Sequence, residues 1–155
     1  MSEKTDNQVK ILFRFYSEIL DEDLEETVLA TVFDSEKGLY ELDTIPFYAS
    51  LVAYDDLVYA EYDNKEQMLV YQKTIEHSSN STVQVVMMDD QTPISNIQNV
   101  FNLLGCNTVN ANDSFFIMKI APEIDYKIIK GDLDKLEKAG VISYAEPCLS
   151  DVHKY

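Results

Sequence analysis

Five carboxylates crowd the stretch DEDLEE, residues 21–26: Asp21, Glu22, Asp23, Glu25 and Glu26. Such a cluster can hold a cation, present a charged face to a basic protein, or keep a loop solvated. The DxDxDG spacing and distal glutamate of a calcium loop are missing, so no metal is assigned. A solvated loop is the first reading, a docking surface the second, and a weak cation site the last. The two histidines, His77 and His153, have no cysteine or acid at ligand spacing, and each is expected to be solvated or to cap a turn. Cys106 follows Gly105 and Cys148 follows Pro147, with no histidine nearby in sequence; both read as structural thiols. Asp89 and Asp90 precede a helix start, where carboxylates suit the helix dipole. No Gly-rich phosphate loop, nucleophile elbow or paired-histidine motif occurs, so neither an enzyme nor a cofactor is expected. EHSSNST, residues 76–82, could orient a ligand with its hydroxyls and amide, or serve as a polar hinge.

The elements that must position these groups belong to a globular chain. Of 155 residues, 46% are hydrophobic and 26% charged. The start, MSEKTDNQVK, has no apolar export signal, and no apolar run approaches the ~18 residues of a membrane span. A cytoplasmic protein with reduced thiols is the reading. The net charge of −16 is uneven: residues 1–64 carry 16 Asp and Glu against 4 Lys and Arg, the rest 12 against 8. Direct nucleic-acid binding is disfavoured, because phosphate contacts need positive charge. A basic protein partner is favoured, with plain solubility as the bland alternative.

Alternation in VKILFRFY puts Val9, Ile11, Phe13 and Phe15 on one face of a strand. The acidic segment SEILDEDLEET reads as a loop or short helix. TVLATVF (27–33) and LYEL (39–42) form a hairpin around DSEKG, where Gly38 is free to take positive φ. LVYAEY (57–62) and MLVYQKTIE (68–76) form another. Residues 9–76 are thus expected as a small β-barrel-like domain. After EHSSNST the periods change. STVQVVMM, CNTVN, SFFIMKI and VISYAEPCL read as strands. Helices are expected near 93–104 and 126–139, with Thr92 and Asp125 as N-caps. Ile97, Phe101, Leu104, Ile129, Leu133 and Leu136 are their core-facing stripes. The order β-α-β-β-α-β predicts a ferredoxin-like domain over 81–150, and an α+β chain overall.

One stretch resists simple burial. IPFYASLVAYDDLVYAEYD, residues 45–63, mixes Tyr48, Tyr54, Tyr59 and Tyr62 with four acids. An alternating strand buries only one face, so some of these tyrosines must line a seam or lie exposed. The expected partner-facing surface is Asp21, Glu22, Asp23, Glu25, Glu26, Tyr54, Asp55 and Asp56.

KGLYELDTIPFYA (37–49), AEYD (60–63), NST (80–82) and YAEPC (144–148) resemble the bacterial family called domain of unknown function 4265, from Val9 to about Ser150. That family's pattern has a Gly-Asp turn where this chain has Asp55-Asp56. The resemblance implies no catalytic residues. Small acidic cytosolic chains of this kind are also similar to the immunity proteins of bacterial toxin–immunity pairs. The expected function is therefore an acidic, non-enzymatic inhibitor of a basic, nuclease-like toxin. A ferredoxin-like small-ligand sensor is the alternative.

Overall fold

The computed structural model describes residues 8–17 and 21–155. β1 (Gln8–Ser17) pairs antiparallel with β2 (Glu22–Asp34), placing Ile11 opposite Val28 and Phe13 opposite Glu26. β3 (Leu39–Leu42), β4 (Leu57–Asp63) and β5 (Met68–Glu76) follow, hydrogen-bonded in chain order. A short parallel pairing of Ile11 with Leu69 and Leu12 with Val70 returns β5 to β1 and closes the circuit. Inside lie Ile11, Phe13, Val28, Ala30, Tyr40, Leu42, Val58 and Ala60, joined by Ala49 and Val52 from the loop 43–56. Gly38 has φ +73°, and a Cβ there would meet the Tyr59 ring at 2.9 Å. The hairpin therefore needs glycine at that position.

The acidic segment is the main departure from expectation. Residues 22–27 are the first half of β2, not a loop or short helix; residues 18–20 lie outside the described residues. Asp and Glu are poor strand formers, but pairing with β1 overrides that preference. Alternation simply continues through the charges.

The second half is α+β with antiparallel pairing. β6 (Ser81–Met87), α1 (Ile94–Leu103), β7 (Asn107–Asn112), β8 (Phe115–Ile120), α2 (Tyr126–Lys138) and β9 (Ile142–Cys148) follow in order, then a 3-10 turn at Asp151–His153. The sheet order is β7-β8-β6-β9, so each β-α-β unit is split by a third strand. Ile97, Phe101, Ile129 and Leu133 are buried against Val83, Val85, Phe116, Met118 and Ile120, with Leu104 and Leu136 half-buried beside them. Asp125 caps α2, its carboxylate accepting from Lys127 N at 3.1 Å. At α1 the cap position belongs to Pro93; the Thr92 hydroxyl donates instead to Asp89 at 2.8 Å. Asp89 thus folds the approach to the helix. The chain separates at residues 78 and 79 into two compact units. Among the described residues no helix is long and apolar enough to cross a membrane.

Both cysteines are free and buried. Burial pushes the Cys106 thiol up to about 11, which leaves little thiolate at neutral pH. Iodoacetamide should therefore label Cys106 far more slowly in the folded protein than in urea. Equal rates would show that the site is open.

Candidate functional site

β1 pairs with β5 only at Ile11 and Leu12, and β2 pairs with β3 only from Ala30 onward. Phe13–Ser17 and Glu22–Glu26 thus form a two-stranded ribbon, paired with each other. Its two faces have opposite chemistry. On the inner face, Glu26 shares the alternation of Val28 and Ala30 and points toward the loop carrying IPFYA. Its carboxylate accepts from three successive backbone N–H groups: Phe47 at 2.6 Å, Tyr48 at 3.0 Å and Ala49 at 2.8 Å. Bonds to an ionised acceptor are the strong kind.

A second carboxylate secures the far end of the same loop. Asp56 is buried, accepting from Ala53 N at 3.0 Å and Ser78 N at 2.8 Å, with His77 Nδ1 at 3.5 Å. The Ser78 hydroxyl donates to the Tyr54 carbonyl at 2.7 Å. Asp55 takes φ +72°, so aspartate here adopts the left-handed turn that glycine would favour. EHSSNST contributes here through Ser78, by tying the end of the first unit to this loop.

Glu26 and Asp56, both expected to face a partner, are therefore internal anchors. Tyr54 is half-buried. The remaining acids are outside. Asp21, Glu22, Asp23 and Glu25 are exposed on the ribbon, and Asp55 is exposed in its turn. Asp21 accepts from the Tyr16 hydroxyl, and Glu25 pairs with Arg14 at 3.1 Å, which also reaches Glu66 at 3.1 Å. The surplus aromatics of 45–63 are partly outside too: Tyr48 is 48% and Tyr62 61% exposed.

In the second unit, His153 contradicts its expected role as a solvated or capping residue. It is only 3% exposed. Its Nε2 lies 3.2 Å from the Ile124 carbonyl and must donate to it, leaving Nδ1 to accept from the Ser81 hydroxyl at 2.7 Å. Ser81 in turn accepts from Ser150 N at 2.8 Å. Ser81 is fully buried, so this Ser–His pair locks the C-terminal turn and offers no nucleophile. No sequence signal marked it, because Ser81 and His153 lie 72 positions apart.

Beside it, Lys130 donates to the Tyr144 hydroxyl at 2.8 Å, and Tyr144 donates to Asp134 at 2.5 Å. Burial, then the bond to Asp134, pushes Tyr144 up to about 12, while the Tyr144 hydroxyl holds Asp134 below the usual carboxylate range. Tyr144 is thus a hydrogen-bond relay and not a base at neutral pH. Among the described residues no group of three or more His, Cys, Asp or Glu could hold a metal ion.

A solved structure described as "Novel crystal structure of a hypothetical protein from Neisseria gonorrhoeae" is similar over 92% of this chain and 96% of that one, with a TM-score of 0.81 and 22% identity. That likeness shows a shared fold. No curated protein matches the chain. Residues 26–144 match the family described as Domain of unknown function (DUF4265), a span that opens at the Glu26 anchor and takes in Gly38, the IPFYA loop and Asp56. The chain belongs to that family.

Proposed function

We propose that this chain is a cytoplasmic, non-enzymatic interaction protein of the immunity type, whose acidic ribbon covers the basic surface of a nuclease-like toxin. The observation that carries the reading is the outer face of the ribbon. Asp23 and Glu25 lie there opposite Tyr16 and Arg14, with Asp21 beside them at the Tyr16 hydroxyl and Arg14 as counter-charge. Nucleases need basic residues to hold phosphates, and an acidic cover neutralises those residues. Long-range attraction also speeds the encounter. Tyr16, 53% exposed on the same ribbon, adds rigid contact area. The inner anchors keep the loop packed behind this face. We read the first unit as a small barrel and the second as ferredoxin-like. Carboxylates on an unpaired edge also discourage edge-to-edge aggregation, and that role needs no partner.

The test is calorimetric titration with the product of the neighbouring gene, which the proposal expects to be a basic protein. Binding that weakens as salt rises supports the proposal. No binding at low salt returns the acids to solubility and edge protection.

A further inference from the structure

Two features of α2 oppose helix stability, and both face the same place. Gly131 sits in mid-helix, where a Cβ would meet nothing within 4 Å, so alanine would fit and would suit the helix better. Lys127 occupies the first turn, the positive end of the helix dipole, where the N-cap Asp125 is followed by no acid. Departures from local rules without a structural return tend to mark functional sites. Here Lys127, Lys130 and Gly131 line one depression of about 240 Å³ with Tyr126, Asp134, His153 and Tyr155.

The acids at this place are already engaged. Asp125 accepts from Lys127 N as the helix cap, Asp134 accepts from Tyr144 and lies 3.6 Å from Lys130, and Glu146 accepts from both the Tyr126 and Tyr155 hydroxyls. Lys130 is engaged as well, lying 4.4 Å from the Tyr155 ring centre. Lys127 is exposed and has no ion-pair partner among the described residues. The Tyr126 and Tyr155 rings stack at 6.2 Å and 24°, and the Ser81–His153 lock fixes the wall behind them. We infer that this face of α2 binds a small organic anion carrying one flat ring. Its carboxylate or phosphate head meets the Lys127 ammonium, and its ring lies over Gly131 against the tyrosines. The volume falls below the ~300–1,000 Å³ typical of drug-sized pockets, which limits the ligand to a single ring. This site is independent of the acidic ribbon.

The probes are benzoate and phenyl phosphate, titrated into the ¹⁵N-labelled full chain, with benzyl alcohol and inorganic phosphate as controls. Saturable shifts at Lys127, Gly131 and Tyr155 are expected with either ring anion. Lys127→Gln should weaken binding about tenfold. Gly131→Leu should abolish it while the melting temperature holds or rises. Gly131→Ala, which fills less of the depression, should fold at least as well and bind more weakly. No saturable shift up to ~10 mM of either ring anion would overturn the inference. So would equal binding of benzyl alcohol or of inorganic phosphate, or wild-type binding by a folded Gly131→Leu variant.

Discussion

Asp56→Ala is expected to destabilise the first unit by about 2–5 kcal/mol, because two backbone N–H donors lose their acceptor at about 1–3 kcal/mol each. The carboxylate is 1% exposed and receives two backbone N–H groups, with His77 at 3.5 Å. Alanine leaves the Ala53 and Ser78 donors without their acceptor, and unpaired buried donors carry the full desolvation penalty. Asp56→Asn keeps one acceptor oxygen but turns an amide donor toward another donor, so an intermediate loss is expected. Glu26→Ala removes three acceptor contacts in a half-buried setting where water can partly replace them, and should cost about 2–3 kcal/mol. Urea unfolding midpoints measure all three. A change of less than ~0.5 kcal/mol for Asp56→Ala, the range of ordinary surface substitutions, would remove Asp56 from its anchoring role.

The second large effect lies in the other unit. Phe101 and Leu133 are fully buried, one from each helix, against the strands β6 and β8. Phe101→Ala should cost about 3–5 kcal/mol and Leu133→Ala about 2–5 kcal/mol, from lost transfer energy plus the cavity left behind. Leu103, on the same helix as Phe101 but 88% exposed, supplies the control. Its change to alanine should stay within ~0.5 kcal/mol. Unchanged melting temperatures for both core variants would mean that the helix faces are assigned wrongly.

Helix positions were legible because apolar spacing and end signals agree: Asp125 opens α2, and Gly140, at φ +78°, stops it. The ribbon was misread because its carboxylates hide a strand whose period is intact. Extending the phase of Val28 and Ala30 backward puts Glu26 inside, and that was the available signal for the anchor. Asp56 was harder, since Ser78 N lies 22 positions away and only folding brings it to the carboxylate. His153 had no local signal either: its partners are Ser81 and the Ile124 carbonyl, and neither is marked by any spacing rule. Local periodicity reveals elements. It does not reveal which loop a carboxylate will hold.

Glu26 and Asp56 hold the fold of the first unit, while the carboxylates of the outer ribbon are proposed to meet a basic partner. The most direct measurement is the association rate of that partner, by stopped flow at low and high salt. Asp23→Lys/Glu25→Lys is compared with Glu123→Lys/Glu137→Lys, a pair also exposed but in the second unit. The ribbon pair should slow association about tenfold or more at low salt and flatten its salt dependence, with dissociation little changed. The control pair should do much less. Equal slowing by both pairs would reduce the ribbon to part of a diffuse negative charge, and no slowing by either would contradict the claim outright.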